Sequence, residues 1–237
     1  MATLSELRDN VLNNLERTAD DSAVEADNAD RWINYAIRKV MCTRHNWDAM
    51  ERTYSVNTVA DQELYAFPSS NTKDIKQVAL RLDSTSAYMP LREDSEDQLD
   101  QDIPLTDISG TPIGWCRAGN AFRLRPAPSV STYGIRVRCW NYPALLSADA
   151  DTNYWTTNHD DLVEDLATAR GMFWLGNTQD YQVLWQQSMA ELGERIANDT
   201  SRLRPKRKTI SPSQRAGRPA SSAGPRLGEA GYYRQYP

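Results

Sequence analysis

The sequence predicts an α+β protein in which a helical bundle carries an inserted small antiparallel β domain and an extended C-terminal arm. Three observations predict this architecture. Apolar residues recur every three to four positions near both ends of residues 1–200, but every second position in the middle. After residue 200 the periodic apolar positions cease, and Pro, Gly, Ser and Arg dominate. We therefore expect a bundle from residues 1–48 and 157–200, a β domain over 49–156 and an arm over 201–237.

Two helices are predicted at the N-terminus. Thr3, with Glu6 three residues later, forms a capping box that indicates a helix start. An apolar stripe follows, and we expect this helix to end near Thr18. A second stripe follows the acidic residues 20–30 and predicts a second helix. The stripes are Leu4, Leu7, Val11 and Leu15 in the first helix, and Ala29, Trp32, Ile33, Ala36, Ile37, Val40 and Met41 in the second.

After Trp47 the apolar period falls to two, which is typical of strands. Residues 54–58 and 64–67 predict a β-hairpin with its turn at residues 60–63. Gly119 and Asn120 offer positive-φ positions for another turn. The remaining strand candidates are residues 75–82, 88–91, 113–117, 121–124 and 133–142, the last with Ile135, Val137 and Cys139 on a buried face.

The helical period returns at Asp160, with Thr157 or Asn158 as candidate caps. Gly176 is expected to end this helix. A further helix over residues 179–198 follows after a short connection, which predicts an antiparallel pair. The apolar face of the first of these two helices consists of Leu162, Val163, Leu166, Ala169, Met172, Phe173 and Leu175.

The charges are distributed unevenly along the chain. In total, 27 Lys plus Arg and 32 Asp plus Glu give a net charge of −5. From Arg202 onward, nine basic residues accompany one acid, a net +8 that leaves −13 on residues 1–201. Such an acidic body repels phosphate, which argues against a compact DNA-reading domain. Residues 91–102 hold six of the acids beside a single base: Glu93, Asp94, Glu96, Asp97, Asp100 and Asp102.

The basic arm is expected to dock on another protein. Its Arg-Pro-Lys-Arg-Lys cluster at residues 204–208 is also compatible with a nuclear-type address or with a phosphate-binding arm. Tyr and Arg near the C-terminus combine a large contact area with hydrogen-bonding groups, as interface hot spots do. The candidate docking residues are Arg202, Arg204, Lys206, Arg207, Lys208, Arg215, Arg218, Arg226, Tyr232, Tyr233, Arg234 and Tyr236.

No pattern in the sequence predicts an enzyme, a metal or a cofactor. His45 and His159 lie in no metal-ligand spacing, and neither a glycine-rich nucleotide loop nor a GxSxG nucleophile pattern occurs. The acids at residues 160–165 are explained by the favourable position of negative charge in a first helical turn. Three widely spaced cysteines predict neither a disulfide framework nor a zinc site. No apolar run approaches the roughly 20 residues that span a bilayer.

Seven tryptophans could stack bases in a single-strand binder, but most lie on predicted apolar stripes or inner strand faces. We therefore expect them in the core. They are Trp32, Trp47, Trp115, Trp140, Trp155, Trp174 and Trp185.

The order of elements, together with several short phrases, resembles the head-to-tail adaptor proteins of tailed bacteriophages. The likeness covers about residues 3–195 as a pattern of order and does not include the arm. The phrases are Leu4-Ser5-Glu6-Leu7-Arg8, Asp30-Arg31-Trp32-Ile33-Asn34 with Ala36, Trp47, residues 58–68 ending in Tyr65-Ala66-Phe67-Pro68, Arg125-Pro126 before the strand at 133–140, and Tyr142-Pro143-Ala144.

The resemblance implies a structural virion protein that is made in the host cytoplasm and lies in the neck, between capsid and tail. Proteins of this type assemble as rings, commonly of twelve subunits, beneath the portal protein and continue its DNA channel toward a tail or nozzle protein. We accordingly expect passing double-stranded DNA to be contacted without sequence-specific binding, and no membrane partner. The six acids of residues 91–102, or those of residues 149–165, are expected to line the channel. The alternatives are a tail tube or tail-collar component, and a nucleic-acid-binding accessory protein that uses the basic arm.

Overall fold

A computed structural model describes residues 2–16, 23–102 and 109–203, and its mixture of helices and strands confirms the α+β class. Met1–Ser201 forms one compact unit. The helices are α1 Leu4–Asn14, α2 Ala23–Tyr35, α3 Cys42–Arg44, α4 Glu96–Asp102, α5 Tyr154–Asn158, α6 Asp160–Trp174 and α7 Thr178–Leu203. A π-helical segment, Ala36–Met41, joins α2 to α3. The strands are β1 Glu51–Asn57, β2 Leu64–Ala66, β3 Thr72–Arg81, β4 Met89–Pro90, β5 Arg92–Glu93, β6 Ser109–Gly110, β7 Gly114–Ala118, β8 Ala121–Arg125, β9 Ala127–Pro128 and β10 Gly134–Asn141.

The predicted capping box of α1 is confirmed. The Thr3 hydroxyl accepts a hydrogen bond from the Glu6 amide at 3.3 Å, and the Glu6 carboxylate accepts one from the Thr3 amide at 2.8 Å. The helix ends at Asn14, earlier than the expected Thr18. Glu16 has a φ of +56°, and a left-handed residue at this point turns the chain out of the helical path.

Helices α1, α2 and α6 share one hydrophobic core, to which α7 contributes Leu192. Leu7, Ile33 and Leu166 are fully buried within it. The Phe173 and Tyr181 rings meet at one end of the α6–α7 pair, and Arg195 contacts Asp161 at the other. The two helices therefore run antiparallel.

The start of α6 differs from the sequence expectation. Neither Thr157 nor Asn158 caps this helix, because both belong to the preceding short helix α5. His159 occupies the N-cap position of α6 without a side-chain hydrogen bond. Asn153 instead caps α5, where its side-chain oxygen accepts hydrogen bonds from the amides of the second and third helical residues.

The hairpin predicted from residues 54–58 and 64–67 is wrong. Strand β1 pairs with β10 in a four-stranded sheet of order β1-β10-β3-β4, whereas β2 pairs with β8 in a second sheet of order β2-β8-β7-β5. The connection between β1 and β2 is held to another loop, since the Thr58 amide donates to the Tyr133 carbonyl and the Asp61 amide to the Pro128 carbonyl, both at 2.8 Å. Asp61 has a φ of +60°. This anchored bend directs the chain from one sheet to the other.

Most of the remaining strand predictions are confirmed. Gly119, with a φ of +62°, forms the turn between β7 and β8, and β10 buries Ile135, Val137 and Cys139 on one face. The larger pairings are antiparallel as expected, and two short parallel pairs, β5 with β7 and β6 with β9, are added to them. The sheets enclose a second hydrophobic core.

Lys73 of β3 connects the sheet to the helices. Its ammonium group donates hydrogen bonds to three backbone carbonyls at the end of α3, those of Cys42 at 2.7 Å and of Thr43 and His45 at 3.2 Å. The last carbonyls of a helix have no partner within the helix, and a cation is favoured at this end. Burial lowers the pKa of Lys73, so its hydrogen bonds compensate for lost hydration.

Candidate functional site

The acidic segment at residues 91–102 is an ordered edge of the second sheet and not a free loop. Its first part forms β5, which pairs with β7, and its second part forms α4. Leu99 is only 1% exposed and packs so tightly over Gly114 that a Cβ there would lie 2.7 Å from a Leu99 methyl group. The contact between Leu99 and Gly114 therefore fixes α4, and the acids it carries, against β7.

Three of the six predicted acids are neutralised by arginines of the same chain. Asp94 accepts a hydrogen bond from Arg92, and Glu96 accepts one from Arg123. Asp100 pairs with Arg125 at 3.2 Å. Glu96 and Asp100 thereby attach α4 to β8, whereas Asp94 is paired within its own segment.

Arg125 is the central cation of this attachment. Its side chain is 8% exposed and also pairs with Glu63 at 2.9 Å, so it joins two acids from different parts of the chain. Glu93 and Asp97 are exposed, and no ion pair links either to a described residue. Among the predicted channel acids whose side chains are described, these two present free negative charge. The Asp102 side chain lies outside the described residues.

The alternative acidic set at residues 149–165 is also largely engaged within the chain. Asp149 pairs with Arg8 at 2.9 Å. Asp151 accepts hydrogen bonds from the Ser147 and Ala148 amides, which lower its pKa. These contacts account for the two acids as parts of a turn beside α1.

The predicted docking residues of the arm lie almost entirely outside the described residues. Arg202 belongs to the last turn of α7, but its side chain is not described. The others, from Arg204 to Tyr236, follow the end of that helix. The docking role of the arm remains a prediction from the sequence.

Both histidines belong to a network that attaches α7 to the rest of the molecule. His45 contacts Asp199 of α7 at 2.8 Å, and His159 Nδ1 lies 2.8 Å from the guanidinium of Arg195. The Trp47 ring lies between the imidazoles, with centroid distances of 5.0 and 5.3 Å. This arrangement anchors α7 to the core.

His159 gives α7 a pH-dependent attachment. Burial first, and then the charge of Arg195, lower its pKa from 6.5, while Asp161, Asp199 and Asp160 act in the opposite direction. Because the folded-state pKa lies below the unfolded value, the unfolded chain binds more protons between the two. The stability contributed by the neutral ring is therefore complete above about pH 6.5 and is lost as the pH falls through that window.

We expect the melting temperature of the wild type to fall more steeply between pH 7.5 and 5.5 than that of H159Q, since glutamine accepts a hydrogen bond without titrating. Thermal denaturation of both proteins across this range measures the difference. Parallel curves for the two proteins would contradict the role of His159. The carboxylates titrate in both proteins, so their contribution to the change in melting temperature cancels when H159Q is compared with the wild type.

A basic groove, defined by Arg31, Tyr35, Arg38, Lys39, Tyr142 and Leu145, lies between α2 with its π-helical continuation and the loop that follows β10. It encloses about 620 Å³. Arg38 lies 5.7 Å from the centre of the Tyr142 ring, and Leu145 is 56% exposed. The groove therefore offers cationic, aromatic and aliphatic contacts together.

The groove cations Arg31, Arg38 and Lys39 have no ion-pair partner within the described chain, unlike the arginines that join its elements. Arg8, Arg123, Arg125, Arg138 and Arg195 all pair with carboxylates. The sequence contains a signal that could have revealed the groove: neither residue 38 nor residue 39 has an acid three or four positions away on the helix.

The expectation that the tryptophans are buried is confirmed for Trp32, Trp47, Trp115 and Trp155. It is wrong for Trp174, which is 57% exposed. Phe173, placed on the apolar face from its spacing, is 47% exposed and Leu175 is 38% exposed. These three residues end α6, where the helix leaves the core and the chain turns toward α7.

This exposed aromatic surface is continuous with the basic groove. The Arg170 guanidinium lies 4.8 Å from the centre of the Tyr35 ring and 5.4 Å from that of Phe173. Trp174 contacts Trp32 with a centroid distance of 5.9 Å. Tyr35 thus belongs to both the groove and the aromatic surface, and together they form one extended contact face.

The described part of the chain holds no group of three or more His, Cys, Asp or Glu residues that could bind a metal ion. No helix within residues 2–16, 23–102 and 109–203 is long and apolar enough to cross a membrane.

Comparison with known proteins gives one family match. The family model described as "SU10 adaptor protein" matches residues 2–212. No curated protein matches the sequence. The match extends over nearly the whole chain and includes both hydrophobic cores, the acidic segment and the basic groove.

Proposed function

Because the chain belongs to the SU10 adaptor protein family, whose members are structural phage proteins and virion components, we propose that it forms an adaptor ring in the virion neck, between the portal and the tail. The match over residues 2–212 carries this proposal. The ring, for which we expect about twelve copies, extends the portal channel for DNA. The helical bundle of residues 1–48 and 157–200 forms the wall of the ring.

The acidic segment is proposed to line the channel. Glu93 is exposed on β5, and Asp97 is exposed on α4 near Leu99. The arginines paired with Glu96 and Asp100 keep this segment ordered. Negative charge on a channel wall repels the DNA phosphates and lets DNA slide without being held. The body charge of −13 supports the same role.

The remaining partners are assigned to the two other parts of the chain. The basic arm of residues 201–237 docks on the portal, and the β domain of residues 49–156 meets the next tail or nozzle component. A net charge of +8 on the arm suits an acidic neighbour, while its tyrosines supply apolar contact. No step of this role requires a catalytic group.

Electron microscopy of the purified protein, alone and mixed with portal, tests the proposal. We expect rings that stack coaxially on the portal, with Glu93 and Asp97 facing the axis in a map that resolves side chains. A protein that stays monomeric on the portal would contradict the adaptor role. A ring with both acids turned outward would contradict only the lining of the channel.

A further inference from the structure

We propose that the basic groove of one copy binds the acidic surface between α6 and α7 of the next copy, and that this contact builds the ring. The inference rests on the proposed ring and names its interface. A head-to-tail interface joins two different surfaces of the same chain. The structure therefore has to supply two complementary surfaces that face in different directions.

The first surface is the basic groove with its aromatic continuation. Arg31 and Lys39 are exposed and have no ion pair with a described residue, and Leu145 and Trp174 are more than half exposed. Lys39 lies in the π-helical segment, a distortion that is frequent at functional sites. Unpaired cations beside exposed apolar side chains indicate an anionic protein partner.

The second surface is an acidic cluster formed by Asp161, Glu164, Asp165 and Glu191. Asp161 and Glu191 share the guanidinium of Arg195, with contacts of 2.6 and 2.9 Å. The Glu164 carboxylate instead accepts hydrogen bonds from two asparagines of α1. Four carboxylates thus share one cation, which leaves this surface with a net negative charge.

Arg195 compensates only part of the negative charge around Asp165. Its pKa is raised by burial and by the like charges of Glu191, Glu164 and Asp161. A neighbouring molecule that brings cations to this surface would relieve that repulsion. The basic groove carries such cations on a chain whose body is otherwise strongly acidic.

The two surfaces lie on different sides of α6. Trp174 contacts α2, whereas the charge of Asp165 is coupled to Glu191 of α7. Nine residues separate these positions, and at 3.6 residues per turn this is about 2.5 turns, so the two side chains leave the helix in opposite directions. One copy can therefore present the groove to one neighbour and the acidic cluster to the other.

Charge reversal tests the interface. We expect the double variants R31E/K39E and E164K/D165K to raise the apparent dissociation constant of ring assembly at least about tenfold, because each places like charges together. The combined fourfold variant restores opposite charges and should form rings again. Mass photometry and electron microscopy, with the protein alone and on the portal, measure the fraction in rings.

The matched control is R44E/R52E, which reverses two exposed cations outside the groove and should leave assembly unchanged. Circular dichroism and melting temperature establish that each variant is folded. Rings in both double variants, equal loss in the control, or no recovery in the fourfold variant would overturn the interface but not the ring. A wild type that is monomeric with and without portal would overturn the proposed ring, and the interface with it.

Discussion

Truncation after Leu203 is expected to abolish attachment to the portal while leaving a folded body. The deletion removes eight basic residues and the three tyrosines near the C-terminus, and it leaves the compact unit Met1–Ser201 intact. Binding to immobilised portal, measured by biolayer interferometry, gives the effect, and circular dichroism of the truncated protein gives the fold. Retained attachment would contradict the docking role of the arm.

A triple variant, Y232A/Y233A/Y236A, separates apolar anchoring from charge. If the tyrosines are interface hot spots, each contributes roughly 2 kcal/mol, and their removal should weaken binding far more than tenfold. The net charge of the arm does not change in this variant. Wild-type affinity would mean that the arm binds through its basic residues alone, and the affinity would then fall steeply with salt.

Replacing Gly171 by alanine is expected to destabilise the body by roughly 1–3 kcal/mol. The glycine lies on α6 where α1 and α2 meet it, and a Cβ there would stand 2.5 Å from the Leu15 side chain and 2.9 Å from the Trp32 ring. A leucine methyl group can rotate away, but an indole packed against a second tryptophan has little freedom to move. Urea denaturation measures the change in the free energy of unfolding.

Gly193 supplies the matched control within the same helical layer. A Cβ at this position of α7 meets nothing within 4 Å. Because alanine favours the helix over glycine, G193A should stabilise the protein by about 0.5–1 kcal/mol. Opposite signs for the two substitutions identify packing as the cause, whereas stabilisation by both would show that the Trp32 contact relaxes without cost.

The elements that local chemistry determines were predictable from the sequence. The capping box at Thr3 and Glu6, the turn at Gly119 and the alternation of β10 all depend on residues close together in the chain. The partner of β1 did not follow from its own pattern, because that partner lies in β10, more than 70 residues away. Asp61 gave no local sign that its backbone would redirect the chain to a second sheet.

The candidate surfaces were predictable to a smaller extent. Composition located the acidic segment, but the arginines that neutralise Glu96 and Asp100 belong to β8 and are distant in sequence. Helical spacing placed Phe173 and Leu175 on the apolar face, yet spacing cannot show that the core ends before the last turn of α6. The groove could not be predicted from the sequence, because one of its sides is the loop after β10. The position of that loop depends on the packing of the whole sheet.

The contacts of Lys73 have a mechanical consequence for the chain. One ammonium group donates hydrogen bonds to three carbonyls at the end of α3. A force on β3 therefore acts on all three hydrogen bonds at the same time. K73A removes all three hydrogen bonds at once and should loosen the connection between β3 and the end of α3.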